Sequence, residues 1–125
     1  MKARGKIWFT LSVLIAFQLS INPASAHSRL VNSIPSSNQI VKSHIHSVTL
    51  NFNEKILVLE NETPNKIQVI QISSGKSKSG KLTVAKSQVK LQFSNPLDKG
   101  KYQVKYRVVS EDGHPVQGSF FFFVK

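Results

Sequence analysis

The sequence contains no cysteine, so no disulfide bond can stabilise the fold and no thiolate can act as a nucleophile or a metal ligand. Its one methionine is Met1 and its one tryptophan is Trp8, and both lie in the leader segment described below. A phosphate-cradling glycine loop and a Gly-x-Ser-x-Gly motif are also missing. These absences leave apolar burial as the source of stability and disfavour an enzyme that uses covalent catalysis.

Acidic residues are scarce: the chain has six, against 17 lysines and arginines, which gives a formal net charge of +11 at pH 7. A basic surface attracts nucleic acid, anionic lipid or acidic polymers. The basic residues are mostly scattered, and only the sequence GKSKSGK at 75–81 gathers several of them. We interpret this stretch as a solvated Gly/Ser-rich loop. Few aromatic residues are interleaved with these lysines, so the sequence does not indicate a base-stacking platform.

Residues 1–26 have the layout of a secretory signal peptide. A basic start precedes an apolar run at 7–19 that is too short for a comfortable membrane span. Ala24 and Ala26 then occupy the positions that a signal peptidase recognises, which argues against an uncleaved anchor. We therefore expect export to the periplasm or the cell exterior and a mature chain that begins at His27. Cleavage removes three basic residues and no acidic one, which leaves 99 residues with a net charge of +8.

Alternation of apolar and polar residues with a period of two dominates residues 27–125 and predicts β-strands. In SVTLNFN, for example, Val48, Leu50 and Phe52 share one face. Turn-forming clusters such as PSSN and EDGHPVQG separate these segments. The pattern predicts one all-β domain, a Greek-key β-sandwich or barrel of about seven antiparallel strands with an immunoglobulin-like or cupredoxin-like appearance. The predicted strands span 28–34, 47–53, 66–72, 80–84, 87–93, 101–109 and 118–125.

Four consecutive phenylalanines, Phe120 to Phe123, break the alternation. In a strand, two of them face one side of the sheet and two face the other. The run favours a strand that is buried on both faces, or one whose outer side a neighbouring loop covers. The alternative is that Phe121 and Phe123 form an apolar patch that contacts a partner.

A histidine at the mature N-terminus is a special ligand, because its α-amine and its ring Nδ1 can hold one metal ion in a six-membered chelate ring. The reference pKa of an α-amine is about 7.7–8.0, so a metal can displace its proton near neutral pH. This chelate exists only after the leader has been removed. Taken alone, His27 is better explained as the residue that happens to come first.

The sequence SEDGHPVQG at 110–118 offers a second pair of donors, Asp112 and His114. If the chain is extended here, the two side chains point to the same side, and Pro115 favours an extended conformation at the residue before it. Asp-Gly is also a common turn sequence, in which Asp112 simply bonds to the turn backbone.

Taken together, the two segments provide an amine nitrogen, two imidazole nitrogens and a carboxylate oxygen, from His27, His114 and Asp112. A nitrogen and oxygen set without sulfur suits Cu(II), which also has the highest affinity in the divalent series. Zn(II) prefers a tetrahedral site. His44 and His46 in SHIHS form another pair, which we interpret as exposed histidines that bind metal weakly if at all.

Three segments give the chain a resemblance to the CopC family of periplasmic copper-binding proteins. These segments are AHSRLVNSIP, VTLNFNEKI and GKYQVKYRVVSEDGHPVQGSFFFFV, and the likeness extends over essentially all of residues 26–125. The resemblance implies a small Greek-key β-sandwich that binds Cu(II) through His27, Asp112 and His114. Glu54 matches a glutamate that the family places at a strand end, and it is expected close to the site without binding the metal.

The resemblance also sets limits. Some family members carry a methionine-rich segment that binds Cu(I), which the mature chain lacks, so only Cu(II) binding is expected. Others are fused to a membrane-spanning copper importer, so the expected partner of this chain is a separate transporter of the CopD type. The protein is expected to be a monomer and not to bind nucleic acid. Family members often have a tryptophan where this chain has Tyr106.

Two alternatives to a non-catalytic Cu(II) carrier or buffer stay open. Copper-dependent polysaccharide monooxygenases also begin with histidine and use a β-sandwich, although 99 residues leave little room for a polymer-binding surface and Asp112 would take a position that such chemistry keeps for oxygen. The other alternative is a metal-free module that binds acidic polymers through its charge of +8.

Overall fold

The computed structural model describes residues 28–125, and this part of the chain consists of eight β-strands without a helix. The predicted leader 1–26 and His27 lie outside the described residues. Among residues 28–125 there is accordingly no helix that is long and apolar enough to cross a membrane. The strands are β1 (Leu30–Ile34), β2 (Ile40–Val41), β3 (Ile45–Phe52), β4 (Lys66–Gln71), β5 (Gly80–Ala85), β6 (Gln88–Leu97), β7 (Gly100–Val109) and β8 (Pro115–Val124).

The strands form two four-stranded sheets, in the orders β1-β3-β6-β5 and β2-β8-β7-β4. All pairs are antiparallel except β2 with β8, which is parallel. The predicted all-β sandwich is confirmed. The seven predicted strands correspond to all those observed except β2, which has only two residues and is therefore too short to show an alternating pattern.

The core lies between the two sheets and is formed by alternate residues of both, as the sequence pattern requires. Tyr102 and Phe122 are fully buried, and their rings stack with centroids 5.4 Å apart. Tyr106, on the same face of β7, is only half-buried and meets Phe52 edge-on at 5.8 Å. The whole buried apolar set comprises Val48, Leu50, Phe52, Ile56, Ile67, Val69, Val89, Leu91, Phe93, Leu97, Tyr102, Val104, Val108, Phe120, Phe122 and Val124.

The four phenylalanines of β8 do not lie in a strand that is buried on both faces. Phe120 and Phe122 belong to the core, whereas Phe121 and Phe123 are half-buried on the outer side of the sheet. The backbone of the β1–β2 connection runs beside them, since the N–H of Asn38 donates to the carbonyl of Phe121 at 2.7 Å and the N–H of Phe123 donates to the carbonyl of Gln39 at 2.9 Å. The partner of both rings is the side chain of Lys101 on the neighbouring strand, whose Nζ lies 4.5 Å from the centroid of Phe121 and 5.7 Å from that of Phe123.

Candidate metal site

The segment 110–114 connects β7 and β8, which pair along their whole length, at one end of the sandwich. It forms a turn in which the N–H of Gly113 donates to the carbonyl of Ser110 at 2.8 Å, and the N–H of Ser110 donates to the carbonyl of His114 at 3.1 Å. Gly113 has a φ of +87°, a conformation that glycine adopts without the steric cost that other residues incur. Asp112 and His114 are therefore brought together by a tight turn, and not by the extended chain that their spacing suggested.

Asp112 uses both carboxylate oxygens within this turn. Its Oδ1 accepts hydrogen bonds from the hydroxyl of Ser110 and, at 3.1 Å, from the backbone N–H of His114. Its Oδ2 lies 3.0 Å from Nδ1 of the His114 ring. The contact assigns the ring hydrogen to Nδ1, which leaves Nε2 with a free lone pair. Metal-binding histidines commonly have this arrangement, in which a carboxylate orients the ring.

The pKa of Asp112 is lowered from 3.8 to about 2. The largest cause is the hydrogen bond from the Ser110 hydroxyl, followed by the hydrogen bonds from the backbone and the ring of His114. Each of these donors stabilises the ionised carboxylate more than the neutral acid. Asp112 is consequently an anion at every pH at which the protein is expected to work, and this is the form that binds a cation.

Both candidate ligands are open to solvent while the group that orients them is buried. The side chains of Asp112 and His114 are 41% and 69% exposed, whereas Ser110 is completely buried. Because the backbone and hydroxyl of Ser110 both contact the turn, a fixed residue of the sandwich positions two accessible donors. The pair is thus held in place and still accessible to an ion from solution.

The described chain begins beside this turn. Ser28 is buried, and Arg29 is held by Asn53 through two hydrogen bonds, from the Arg29 N–H to Asn53 Oδ1 at 2.7 Å and from the Asn53 N–H to the Arg29 carbonyl at 3.2 Å. Two residues further along, the carbonyl of Lys55 accepts a hydrogen bond of 3.0 Å from the N–H of Glu111. A short stretch of backbone, 53–55, therefore links the start of the described chain to the turn that carries Asp112.

Glu54 lies in the middle of this linking stretch and is half-buried. Its neighbours Asn53 and Lys55 bond to the two segments that the sequence analysis assigned to one site. The position of Glu54 agrees with its expected place near the metal site. That it acts there without binding the metal stays a prediction.

Asn65 fastens the rest of the β3–β4 connection to the same end of the sandwich. It is 5% exposed, its Nδ2 donates to the carbonyl of Leu57 at 2.7 Å, and its Oδ1 accepts from the N–H of Val109 at 2.9 Å. Leu57 in turn donates from its N–H to the carbonyl of Val109 at 2.8 Å. The end of β7, from which the turn starts, is thereby fixed on the side opposite β8.

The structure thus brings together Asp112 and His114, two of the three metal ligands expected from the sequence, while His27 lies outside the described residues. Among residues 28–125, no group of three or more His, Cys, Asp or Glu side chains is arranged to hold a metal ion. His44 and His46 are exposed and lie at the start of β3, next to the Ile45–Leu97 pair and so at the other end of the sandwich. They are separate from the Asp112 turn.

Ser110 and Asn65, which position the turn, were not among the site residues predicted from the sequence. A serine just before the Asp-Gly turn was the available signal for Ser110, because serine hydroxyls bond to nearby groups in turns. Asn65 offered no such signal, because its two partners are backbone groups that are distant in sequence.

Comparisons with known proteins agree with this architecture. Residues 30–125 match the CopC domain family. The copper resistance protein C of Xanthomonas campestris pv. juglandis is 34% identical over 121 residues, which are 93% of this chain and 94% of that protein.

Two solved structures have the same fold. CopC from Methylosinus trichosporium OB3b is 30% identical with a TM-score of 0.67, over 79% of this chain and 94% of that one. PcoC from Escherichia coli, described as a methionine-rich copper resistance protein, is 26% identical with a TM-score of 0.68, over 80% of this chain and 100% of that one. The domain match over residues 30–125 and the 34% identity to copper resistance protein C show that this chain belongs to the CopC family.

Proposed function

We propose that the protein is an exported copper-handling protein that binds Cu(II) with His27, Asp112 and His114 and carries or buffers it. The observation that carries the proposal is the ordered pair at the β7–β8 turn, an ionised carboxylate and an imidazole with a free Nε2, at the end of the sandwich where the described chain begins. The relatives named for copper resistance support the choice of metal.

The donors fit Cu(II) better than other abundant ions. Asp112 supplies a carboxylate oxygen and His114 an imidazole nitrogen, and such ligands in a tetragonal arrangement suit Cu(II). Cleavage after Ala26 would give His27 a free α-amine next to its ring, which adds two further nitrogens. His27 directly precedes Ser28, which is buried in the sandwich beside the linking stretch 53–55, so only one residue separates it from Arg29 and the Asn53 contacts.

A carrier function fits this site better than oxidative catalysis. The ionised Asp112 supplies an anionic oxygen where a copper oxygenase needs a position for its oxidant, and a ligand set that saturates the ion favours holding it. We propose that copper is exchanged with a separate membrane transporter of the CopD type in the periplasm. Ascorbate or peroxide with a polysaccharide substrate should give no copper-dependent oxidised product, and turnover in this assay would refute the carrier function.

The site is tested by Cu(II) titration of the cleaved chain and of three variants. His114→Ala and Asp112→Asn should each weaken Cu(II) binding and change the EPR spectrum, because each removes one donor. The matched control is the double variant His44→Ala/His46→Ala, which removes two exposed histidines at the opposite end of the sandwich. It should retain the affinity and the spectrum of the high-affinity site. Loss of that spectrum in the control, with His114→Ala unaffected, would place the copper elsewhere.

A further inference from the structure

The acidic residues are distributed very unevenly over the fold. All six lie outside the eight strands, and five of them belong to the two connections at the metal-site end, 53–65 and 110–114. The sixth, Asp98, lies in the β6–β7 turn at the opposite end, 4.0 Å from Lys78. The strands of both sheets therefore contain lysine and arginine residues but no aspartate or glutamate.

The outer face of the sheet β2-β8-β7-β4 concentrates this charge. Residues of β4 and β7 alternate between the core and the outside, and four of the outward positions are exposed basic residues, namely Lys66, Lys101, Lys105 and Arg107. Lys66 and Arg107 are register partners on neighbouring strands. Like charges directly opposite each other destabilise a sheet, and a bound anion relieves this repulsion. We call these four residues and the apolar strip beside them the basic face.

The apolar strip consists of Phe121 and Phe123 on β8 and Ile40 on β2. Ile40 is the register partner of Phe123 and is 49% exposed. The ammonium of Lys101 lies over both phenyl rings, at 4.5 and 5.7 Å from their centroids. Lys101 is exposed, so a cation and two half-buried phenyl rings are presented together on the outer face of the sheet.

We propose that the basic face binds the surface of an anionic phospholipid membrane, with the four cations on headgroup phosphates and the apolar strip in the interfacial region. Basic residues near an anionic leaflet each contribute favourably to binding, and aromatic side chains add apolar contact there. The four cations lie on two neighbouring strands of one sheet face, and such a two-dimensional spread of charge matches an array of headgroups better than a single narrow acidic peptide.

Other occupants fit this face less well. Stacking of a nucleobase or a sugar needs an open ring face, and the Lys101 ammonium already lies over both rings. A second copy of the chain that used the same face would place four cations against four cations. Bound to a membrane through this face, the protein would hold the 110–114 turn at the edge of the contact, because that turn joins two strands of the same sheet.

The test is partitioning of residues 27–125, which contain all eight strands, into vesicles of phosphatidylcholine with and without about one-third phosphatidylglycerol. We expect binding only to the anionic vesicles, and loss of binding when salt is raised from about 0.1 M to about 1 M, where the Debye length falls to about 3 Å. Lys101→Gln/Lys105→Gln should lower the partition coefficient at least about tenfold, since each basic residue near the surface contributes roughly fivefold.

The matched control is Lys81→Gln/Lys90→Gln, which removes the same charge from outward positions of the other sheet. It should lower partitioning less than about threefold, because these residues would face away from the lipid. Phe121→Gln/Phe123→Gln should weaken binding to vesicles and leave binding to soluble poly-glutamate unchanged. Metal is omitted throughout, so the outcome is independent of the copper site.

Three results would overturn the proposal. Equal losses in the two lysine variants would show a response to net charge alone. Binding to poly-glutamate as tight as binding to anionic vesicles, without an effect of the phenylalanine variant on either, would identify an acidic polymer or protein as the partner. Absence of binding to anionic vesicles at low salt would remove the membrane function altogether.

Discussion

Ser110 offers the sharpest test of how the turn prepares its ligands. It is fully buried, its hydroxyl donates to Asp112 Oδ1, and the same oxygen lies 3.1 Å from the carbonyl of His114. Ser110→Ala removes only the hydroxyl. The hydrogen bond from the backbone N–H of residue 110 to the carbonyl of His114 is retained, so the turn is expected to keep its path.

The pKa of Asp112 gives the expected size of the effect. The Ser110 hydrogen bond is the largest cause of the fall from 3.8 to about 2, so the variant should have a pKa between these two values, well above that of the original chain. A lowered pKa means that the ionised carboxylate stabilises the folded state above the unfolded pKa, and that this contribution disappears as the pH falls towards 2. In the Ser110→Ala variant the ionised Asp112 carboxylate should stabilise the folded state less, and this stabilisation should be lost at a higher pH than in the original chain.

The variant should also bind Cu(II) about 10-fold more weakly at neutral pH, the lower end of the roughly 10–100-fold that a residue orienting a metal ligand typically contributes to affinity. The assays are an NMR titration of the Asp112 carboxyl carbon and a Cu(II) competition titration. Ser77→Ala is the control, since its hydroxyl accepts a hydrogen bond from Gln68 at 2.8 Å, away from the turn. An unchanged Asp112 pKa in Ser110→Ala would refute the reasoning, whatever happens to copper binding.

Three further variants test the scaffold. Phe122→Ala leaves a cavity beside the stacked Tyr102 ring and should lower the free energy of unfolding by about 3–5 kcal/mol in urea denaturation; a loss below about 1 kcal/mol would contradict the packing. Asn65→Ala removes two hydrogen bonds to partly buried backbone groups and should cost about 2 kcal/mol in the same assay, whereas no loss would show that water replaces them. Gly113→Ala forces a Cβ into a positive-φ turn and should cost about 1 kcal/mol and weaken Cu(II) binding, while unchanged affinity would show that the turn tolerates another backbone conformation.

Much of the fold follows from the sequence because alternation is a local property. Val48, Leu50 and Phe52 were expected on one face and all three are buried. The sequence pattern did not extend to β2, which pairs with β8 through bonds at and beside its two residues: the N–H of Phe123 donates to the carbonyl of Gln39 at 2.9 Å, and the N–H of Lys125, just after β8, donates to the carbonyl of Val41 at 2.9 Å. Such a strand depends on its neighbour in space, which the sequence does not specify.

The candidate site was predicted as a set of residue types, and its geometry was not. Two alternatives were expected for Asp112 and His114. Their side chains would point to the same side of an extended chain, or Asp112 would bond only to the backbone of an Asp-Gly turn. In the structure the turn itself makes the pair, since Asp112 bonds to the turn backbone with one oxygen and to the His114 ring with the other. The buried Ser110 that stabilises this arrangement is a polar residue in the core, a placement that local pattern does not predict.

The four phenylalanines show a similar limit. Their alternation between the two faces of the strand was predicted, but the cation beside the two outer rings was not. It is the ammonium of Lys101, a residue that the sequence pattern assigns simply to the solvent.

The central claim is that removal of the leader creates half of the copper site. It is tested most directly by comparing the Cu(II) affinity and EPR spectrum of two chains, one beginning at His27 and one beginning at Ala26. The two differ by a single alanine, which turns the α-amine of His27 into an amide nitrogen and leaves Asp112 and His114 unchanged. We predict that the additional residue weakens Cu(II) binding by orders of magnitude and changes the spectrum. Equal affinities and identical spectra for the two chains would contradict the proposed site.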